Sequence, residues 1–265
     1  MTKIVAVANQ KGGVGKTTTA VNLAAALAHS KRRCLLLDLD AQATASRYLL
    51  GKYGDDGRVM YDVLMKRVKL RDCIQDTSFG LSVVPSNLGL ASLDVDLLSE
   101  FNREHRLEMA LQELGEDSYD YVIVDCPPNL GFVTINAFAA AQVVLIPIEC
   151  KPEAWEAVPR LMQTLRKIVK EFQRPIRIYA LPTFLERTNL AKDIHDEIRE
   201  HFEAFALSPV HKNVKLAEAF AARQPIIQYD PAASGAMDYL RVAKELMNGE
   251  EAQVRRRVEG RTDRR

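Results

Sequence analysis

Six short runs of almost unbroken apolar residues limit what this chain can become: 4–8 (IVAVA), Cys34–Asp38 (CLLLD), 81–84 (LSVV), Tyr121–Asp125 (YVIVD), 143–148 (VVLIPI) and 176–181 (IRIYAL). A strand with one wet face alternates apolar and polar residues. A run that does not alternate is covered on both faces. Between the runs lie longer segments with helical spacing, at Lys16–His29, 102–115, 131–141, 153–172 and 189–204, with a last one at 233–248. Such alternation predicts an α/β fold: a mostly parallel twisted sheet, right-handed crossovers, and helices on both faces.

The stretch 43–80 breaks this rhythm. Gly51, Gly54 and Gly57 sit among charges there and predict exposed turns. No internal repeat or linker is visible, so a single domain over 1–249 is expected. From 250 to 265 apolar residues nearly vanish, while Arg255, Arg256, Arg257, Arg261, Arg264 and Arg265 gather; this basic tail is expected to be disordered. At 265 residues the chain is long enough to bury a sizeable core. Its formal net charge of +1 means that any attraction to nucleic acid must come from a local patch. Cys34, Cys73, Cys126 and Cys150 form no C-x-x-C pair and read as reduced, buried thiols rather than disulfides or a zinc site. The opening apolar run is too short for a signal peptide, and nothing approaches the ~20 apolar residues of a membrane span, so a cytoplasmic protein is expected.

The first run leads into Lys11-Gly12-Gly13-Val14-Gly15-Lys16-Thr17-Thr18, and a helix follows. The usual phosphate-loop pattern is G-x-x-x-x-G-K-[ST]; its first glycine is replaced here by Gln10. The physics survives the change. Glycines let the backbone curl until successive N–H groups point at phosphate oxygens. The helix N-terminus adds partial positive charge. Lys16 supplies a full charge, and the Thr17 hydroxyl can ligate Mg²⁺. An ATP-binding P-loop NTPase fold is the expectation. Lys11, at the far end of the loop from Lys16, has no evident task in its own subunit and could be a solvated lysine.

In open α/β sheets, sites form beyond the carboxyl ends of the strands. Asp38 and Asp40 close the second run and Asp125 closes the fourth. Facing a phosphate loop, an aspartate there is placed to hold Mg²⁺ directly or through water. The plainer alternative is a helix cap or turn.

Several segments together resemble the ParA/MinD group of deviant-Walker P-loop ATPases, and within it the ParA/Soj branch: NQKGGVGKTTTAVNLA (9–24), DLDAQ (38–42), DCPPNLG (125–131), RTNL (187–190), NVKLAEA (213–219) and QPIIQYDP with SGA and Tyr239 (224–239). The resemblance runs from Lys3 to about Met247 and implies roles residue by residue. Lys11 matches the signature lysine that reaches across an ATP-sandwich homodimer to the partner's phosphates. Lys16 matches the P-loop lysine and Thr17 the Mg²⁺ ligand. Asp40 matches the aspartate that orients the hydrolytic water, and Asp125 the carboxylate near the metal. ATP and Mg²⁺ are the implied cofactors, with slow basal hydrolysis stimulated by a ParB-like partner. The family's D-P-Q-G-N is changed here: Ala41 stands for Pro and Ala43-Thr44 for Gly-Asn, so this loop is expected to follow a path of its own.

Partition ATPases of this branch bind nucleoid DNA without sequence preference. Arg187 and Lys215 match two of their basic positions, with Lys215 in place of an arginine. Contacts of this kind go to phosphates and weaken with salt. Either residue could equally be a solvated charge. The arginine-rich tail is a further candidate. No room precedes the loop for an operator-binding domain, so sequence-specific repression is not expected. A MinD-like membrane cycle would need an apolar terminal helix face, and Val254 and Val258 bury too little. A redox ATPase resembling the nitrogenase iron protein would need a second cysteine placed like Cys126. Positioning of a non-DNA cargo would use the same ATPase physics.

Overall fold

The computed structural model describes residues 2–51, 57–115, 118–172 and 175–262. Among the described residues there are seven strands: β1 (Lys3–Val7), β2 (Cys34–Asp38), β3 (Gln75–Asp76), β4 (Ser82–Val84), β5 (Tyr121–Asp125), β6 (Val143–Glu149) and β7 (Arg177–Thr183). They form one sheet in the order β3-β4-β2-β5-β1-β6-β7. All pairings are parallel except that of β3 with β4. The chain builds leftward from β1, then returns to place β6 and β7 on the right. β1 therefore lies where the winding reverses, the position beyond whose carboxyl end ligands bind in open sheets of this kind.

The unbroken apolar runs are covered on both faces, as expected. Ile4 and Ala6 join a core that includes Leu107, Phe138 and Leu161. Val5 and Val7 join a second core, with Ala20, Leu23, Tyr239 and Leu246. The second layer explains the alanines of α1 (Lys16–His29). This helix lies buried between the sheet and the last helix, and small side chains allow a close approach from both sides. Polar groups also lock it: the Asn22 side chain accepts from Ile226 N at 2.8 Å, and the Thr19 and Tyr239 hydroxyls meet at 3.3 Å.

Several elements differ from the sequence reading, among them short helices such as Met60–Leu64 and Val214–Ala221 that it did not give. β3 has two residues, too few to carry a periodic pattern, and it lies with α2 (Thr44–Leu50) in the irregular stretch. The helix expected over 153–172 is split into Pro152–Trp155 and Val158–Glu171. Pro159 lacks an N–H, so it cannot carry the first helix onward and stands instead in the first turn of the second, where no donor is needed. The last helix runs Ser234–Thr262 rather than stopping near 248. Gly54 and the tail residues Asp263, Arg264 and Arg265 lie outside the described residues. All four cysteines are buried and outside any disulfide. Among the described residues, no helix is long and apolar enough to cross a membrane.

Candidate functional site

β1 ends at Val7, and the chain curls through residues 9–15 before α1 begins at Lys16. The curl depends on left-handed backbone at Gly13 (φ +76°) and Gly15 (φ +88°), where an L side chain is strained. A Cβ on Gly12 or Gly13 would meet nothing within 4 Å. Their bareness thus serves no internal packing and leaves the amides open to a ligand. The underside of the loop is fastened instead. Asn9 Nδ2 donates to Pro147 O at 2.7 Å, Lys11 N donates to Asn9 Oδ1 at 3.0 Å, and Thr183 Oγ1 donates to Val14 O at 3.0 Å. Val14 is buried, so this member of the loop contributes backbone and packing rather than a side chain. Thr18 is partly buried, and its carbonyl accepts from Asn22 Nδ2 at 2.8 Å.

Lys16 is buried, and its Nζ donates to Lys11 O at 3.1 Å across the curl. Burial pulls its pKa down, opposed by the charges of Asp125 and Asp40. Lys11 is only partly buried, and among the described residues its ammonium has no partner. The two lysines thus differ: Lys16 is drawn into the curl, and the Lys11 ammonium is not.

Asp38 and Asp125 stand in register at the ends of β2 and β5, and both are fully buried. Asp38 is saturated: it accepts from Asp40 N (3.1 Å), Ser46 N (2.8 Å) and Ser46 Oγ (2.6 Å). Ser46 Oγ accepts in turn from Ser86 N at 2.9 Å, and Ser86 Oγ donates to Asp40 O at 2.6 Å. This network, with no signature in the sequence, holds the loop that presents Asp40. Neither carboxylate oxygen of Asp125 has a hydrogen-bond partner. The Thr17 hydroxyl lies close enough to lower its pKa without closing a normal hydrogen bond; burial and the neighbouring Asp38 charge win, and the pKa stands well above the carboxylate range. An unpartnered carboxylate beside a hydroxyl is an oxygen donor set that suits a hard divalent cation.

Ala43 has φ +50° and caps α2. The loop thus keeps, with an alanine, a left-handed turn of the kind glycine favours, at a cost of about 1 kcal/mol.

Residues Lys11 to Thr17, Asp40 and Asp125 therefore gather on one edge of the sheet. Arg187 and Lys215 do not join them. Both are exposed, Arg187 just beyond β7 and Lys215 in the first turn of the helix Val214–Ala221. Lys215 Nζ is bonded to Glu218 at 2.8 Å and lies 5.9 Å from the Tyr229 ring centre.

Comparison with known proteins agrees with this geometry. A family model described as an AAA domain matches residues 2–178. The sporulation initiation inhibitor protein Soj of Bacillus subtilis is 40% identical over 250 residues, covering 93% of this chain and 98% of Soj. The chain belongs to the ParA/Soj family. The chromosome partitioning protein ParA of Myxococcus xanthus is 39% identical to this family member over 249 residues, 92% of this chain and 88% of that one. Among solved structures, cobyrinic acid a,c-diamide synthase from Mycobacterium smegmatis with bound ADP and magnesium superposes with a TM-score of 0.81 at 31% identity. That match covers 96% of this chain and 97% of the synthase. The synthase's name describes amide formation, whereas the two relatives closer in sequence carry the Soj and ParA names. The seven-stranded sheet with its glycine curl is the P-loop NTPase fold.

Proposed function

We propose that this ParA/Soj-family chain is a partition ATPase that binds Mg-ATP in the 11–18 loop and uses it to pair two copies on DNA. The observation that carries the reading is the orphaned Asp125 carboxylate beside Thr17, beneath a curl of open amides and a drawn-in Lys16. Mg²⁺ held by Asp125 and Thr17 would neutralise charge on the terminal phosphates. The chain's own residues do the rest. The amides of residues 12–16 grip phosphate oxygens, and Lys16 leaves the Lys11 carbonyl to meet them. Asp40 orients the attacking water. Lys11 reaches the phosphates of a second copy, so the triphosphate joins the two subunits. Such chemistry works by positioning and charge neutralisation. Basal hydrolysis is slow because the charge stabilisation is completed only in the dimer and by a ParB-like protein.

DNA phosphates meet Arg187, Lys215 and the basic tail 250–265, which follows a single ATPase domain over 1–249. Lys215 exchanges Glu218 for phosphate, and the protein works in the cytoplasm on the nucleoid. DNA co-sedimentation with ATP, ADP and no nucleotide tests the reading. Pelleting should require ATP and fall steeply between low and moderate salt. Equal pelleting in all three conditions would refute the nucleotide switch, and no pelleting in any would refute the DNA surface.

A further inference from the structure

We propose that Thr183 and Phe184, at the end of β7, are positioning residues that transmit the state of the phosphate loop to the exposed segments carrying Arg187 and Lys215. The proposal rests on the nucleotide-binding reading above. It does not depend on DNA being the ligand of those segments.

Three sets of contacts support it. First, both residues touch the underside of the loop. Thr183 is buried, its Oγ1 holds the Val14 carbonyl at 3.0 Å, and its own carbonyl accepts from Cys150 N at 2.9 Å. Phe184 Cε2 and Cζ lie 3.5 and 3.6 Å from where a Cβ on Gly15 would stand, so the ring rests against the residue that caps α1. Second, Phe184 has φ +52°. A bulky L residue adopts that conformation only where its surroundings enforce it, and such strain collects at switching elements. Third, the next residues are stitched to the segment leading into Lys215. Leu185 N donates to Val210 O (3.2 Å), Lys212 N donates to Leu185 O (3.1 Å), and Lys212 Nζ pairs with Glu186 at 2.7 Å. His211 N is held at 2.9 Å by Asp238, a buried carboxylate of the last helix. Asn213 then caps the helix of Lys215, accepting from Lys215 N at 2.8 Å.

A continuous set of bonds thus runs from the Val14 peptide to the two exposed cations. Phosphate drawn into the curl pulls on the amides of the same peptide units whose carbonyl Thr183 grips. A shift there moves the strained Phe184 and, through Leu185, the 207–215 segment. This provides a physical path between two sites that could bias one element in common.

Hydrogen exchange of peptides covering 207–215, with and without saturating Mg-ATP, tests the relay. In the parent protein, ATP should slow exchange there about tenfold, the effect of making or losing roughly one hydrogen bond. Thr183→Val, which keeps shape and removes the donor, should lose that response while nucleotide fluorescence shows the site filled. Thr183→Ser, which restores the hydroxyl, should recover it, an outcome that a merely structural loss would not give. Phe184→Gly relieves the backbone and removes the ring; it should keep its melting temperature and respond weakly. An ATP-insensitive 207–215 segment in the parent protein, or a Thr183→Val variant that responds like the parent, overturns the proposal. If the segment responds to ATP but no DNA pellets, the relay stands and the DNA reading fails.

Discussion

Asp38 and Asp125 end adjacent parallel strands in register, are fully buried, and have pKa values raised first by that burial, yet the fold treats them in opposite ways. Asp38 accepts three hydrogen bonds from its own loop. Asp125 accepts none of normal geometry. A buried carboxylate without donors is costly, and a fold retains one where a ligand supplies the missing partner. The contrast separates an acid whose hydrogen bonds hold its own loop from one whose oxygens stay unpartnered.

The sharpest way to break this comparison is the pair of asparagine substitutions. Asp125→Asn should lower ATP hydrolysis by at least about a hundredfold, because charge stabilisation at the phosphates is lost. In the absence of nucleotide the same change should stabilise the fold by about 1–2 kcal/mol near neutral pH, since an amide carries none of the ionisation cost of a buried, unpartnered carboxyl. Phosphate release and urea denaturation measure the two effects; a loss of stability would show that Asp125 is structural after all. Asp38→Asn should act in the other direction on stability, costing about 2 kcal/mol, because an amide cannot accept from all three donors. Unchanged stability would contradict the network around Ser46.

Stability against pH sharpens the comparison further. The folded pKa of Asp125 lies above its unfolded value, so the folded state holds that proton more tightly. Its contribution is favourable at low pH. It declines as pH rises from the unfolded value near about 4 toward the raised folded value. Nucleotide-free protein should therefore be more stable relative to Asp125→Asn at pH 4.5 than at pH 7.5, read as the difference between two denaturation series. A pH-independent difference would mean that the carboxylate is not buried as described. The smallest effect belongs to Ala43, at the start of α2 beside Asp40. Ala43→Gly should relieve its left-handed strain and loosen the unfolded chain, two opposing effects that leave less than about 1 kcal/mol. A larger change in melting temperature would place the strain elsewhere.

Much of this was legible in the sequence, and the illegible parts share a cause. Lys16–His29 has the same bounds in the sequence reading and in the structure, and β2 and β5 fall on their apolar runs. Those signals are local and repeat along the chain. Thr183, Phe184, Ser46 and Ser86 gave no such signal. Each matters through a partner that is distant in sequence, as Thr183 does through Val14, 169 positions away. A short polar side chain carries no periodic pattern that announces such a bond. The split at Pro159 lies between these cases, since the proline is visible in the sequence but the long amphipathic run around it has the spacing of one helix.

The sequence alone determined that the sheet would be mostly parallel and doubly covered, and that a glycine curl with two lysines would lie at its carboxyl edge. Both follow from interactions between near neighbours: burial of contiguous apolar residues, and backbone freedom at glycine. The tertiary structure decided which of two equivalent aspartates is satisfied and which is left open, and what pins the curl from beneath. Those outcomes depend on hydrogen-bond partners brought within 3 Å by packing, and spacing along the chain does not encode packing distance.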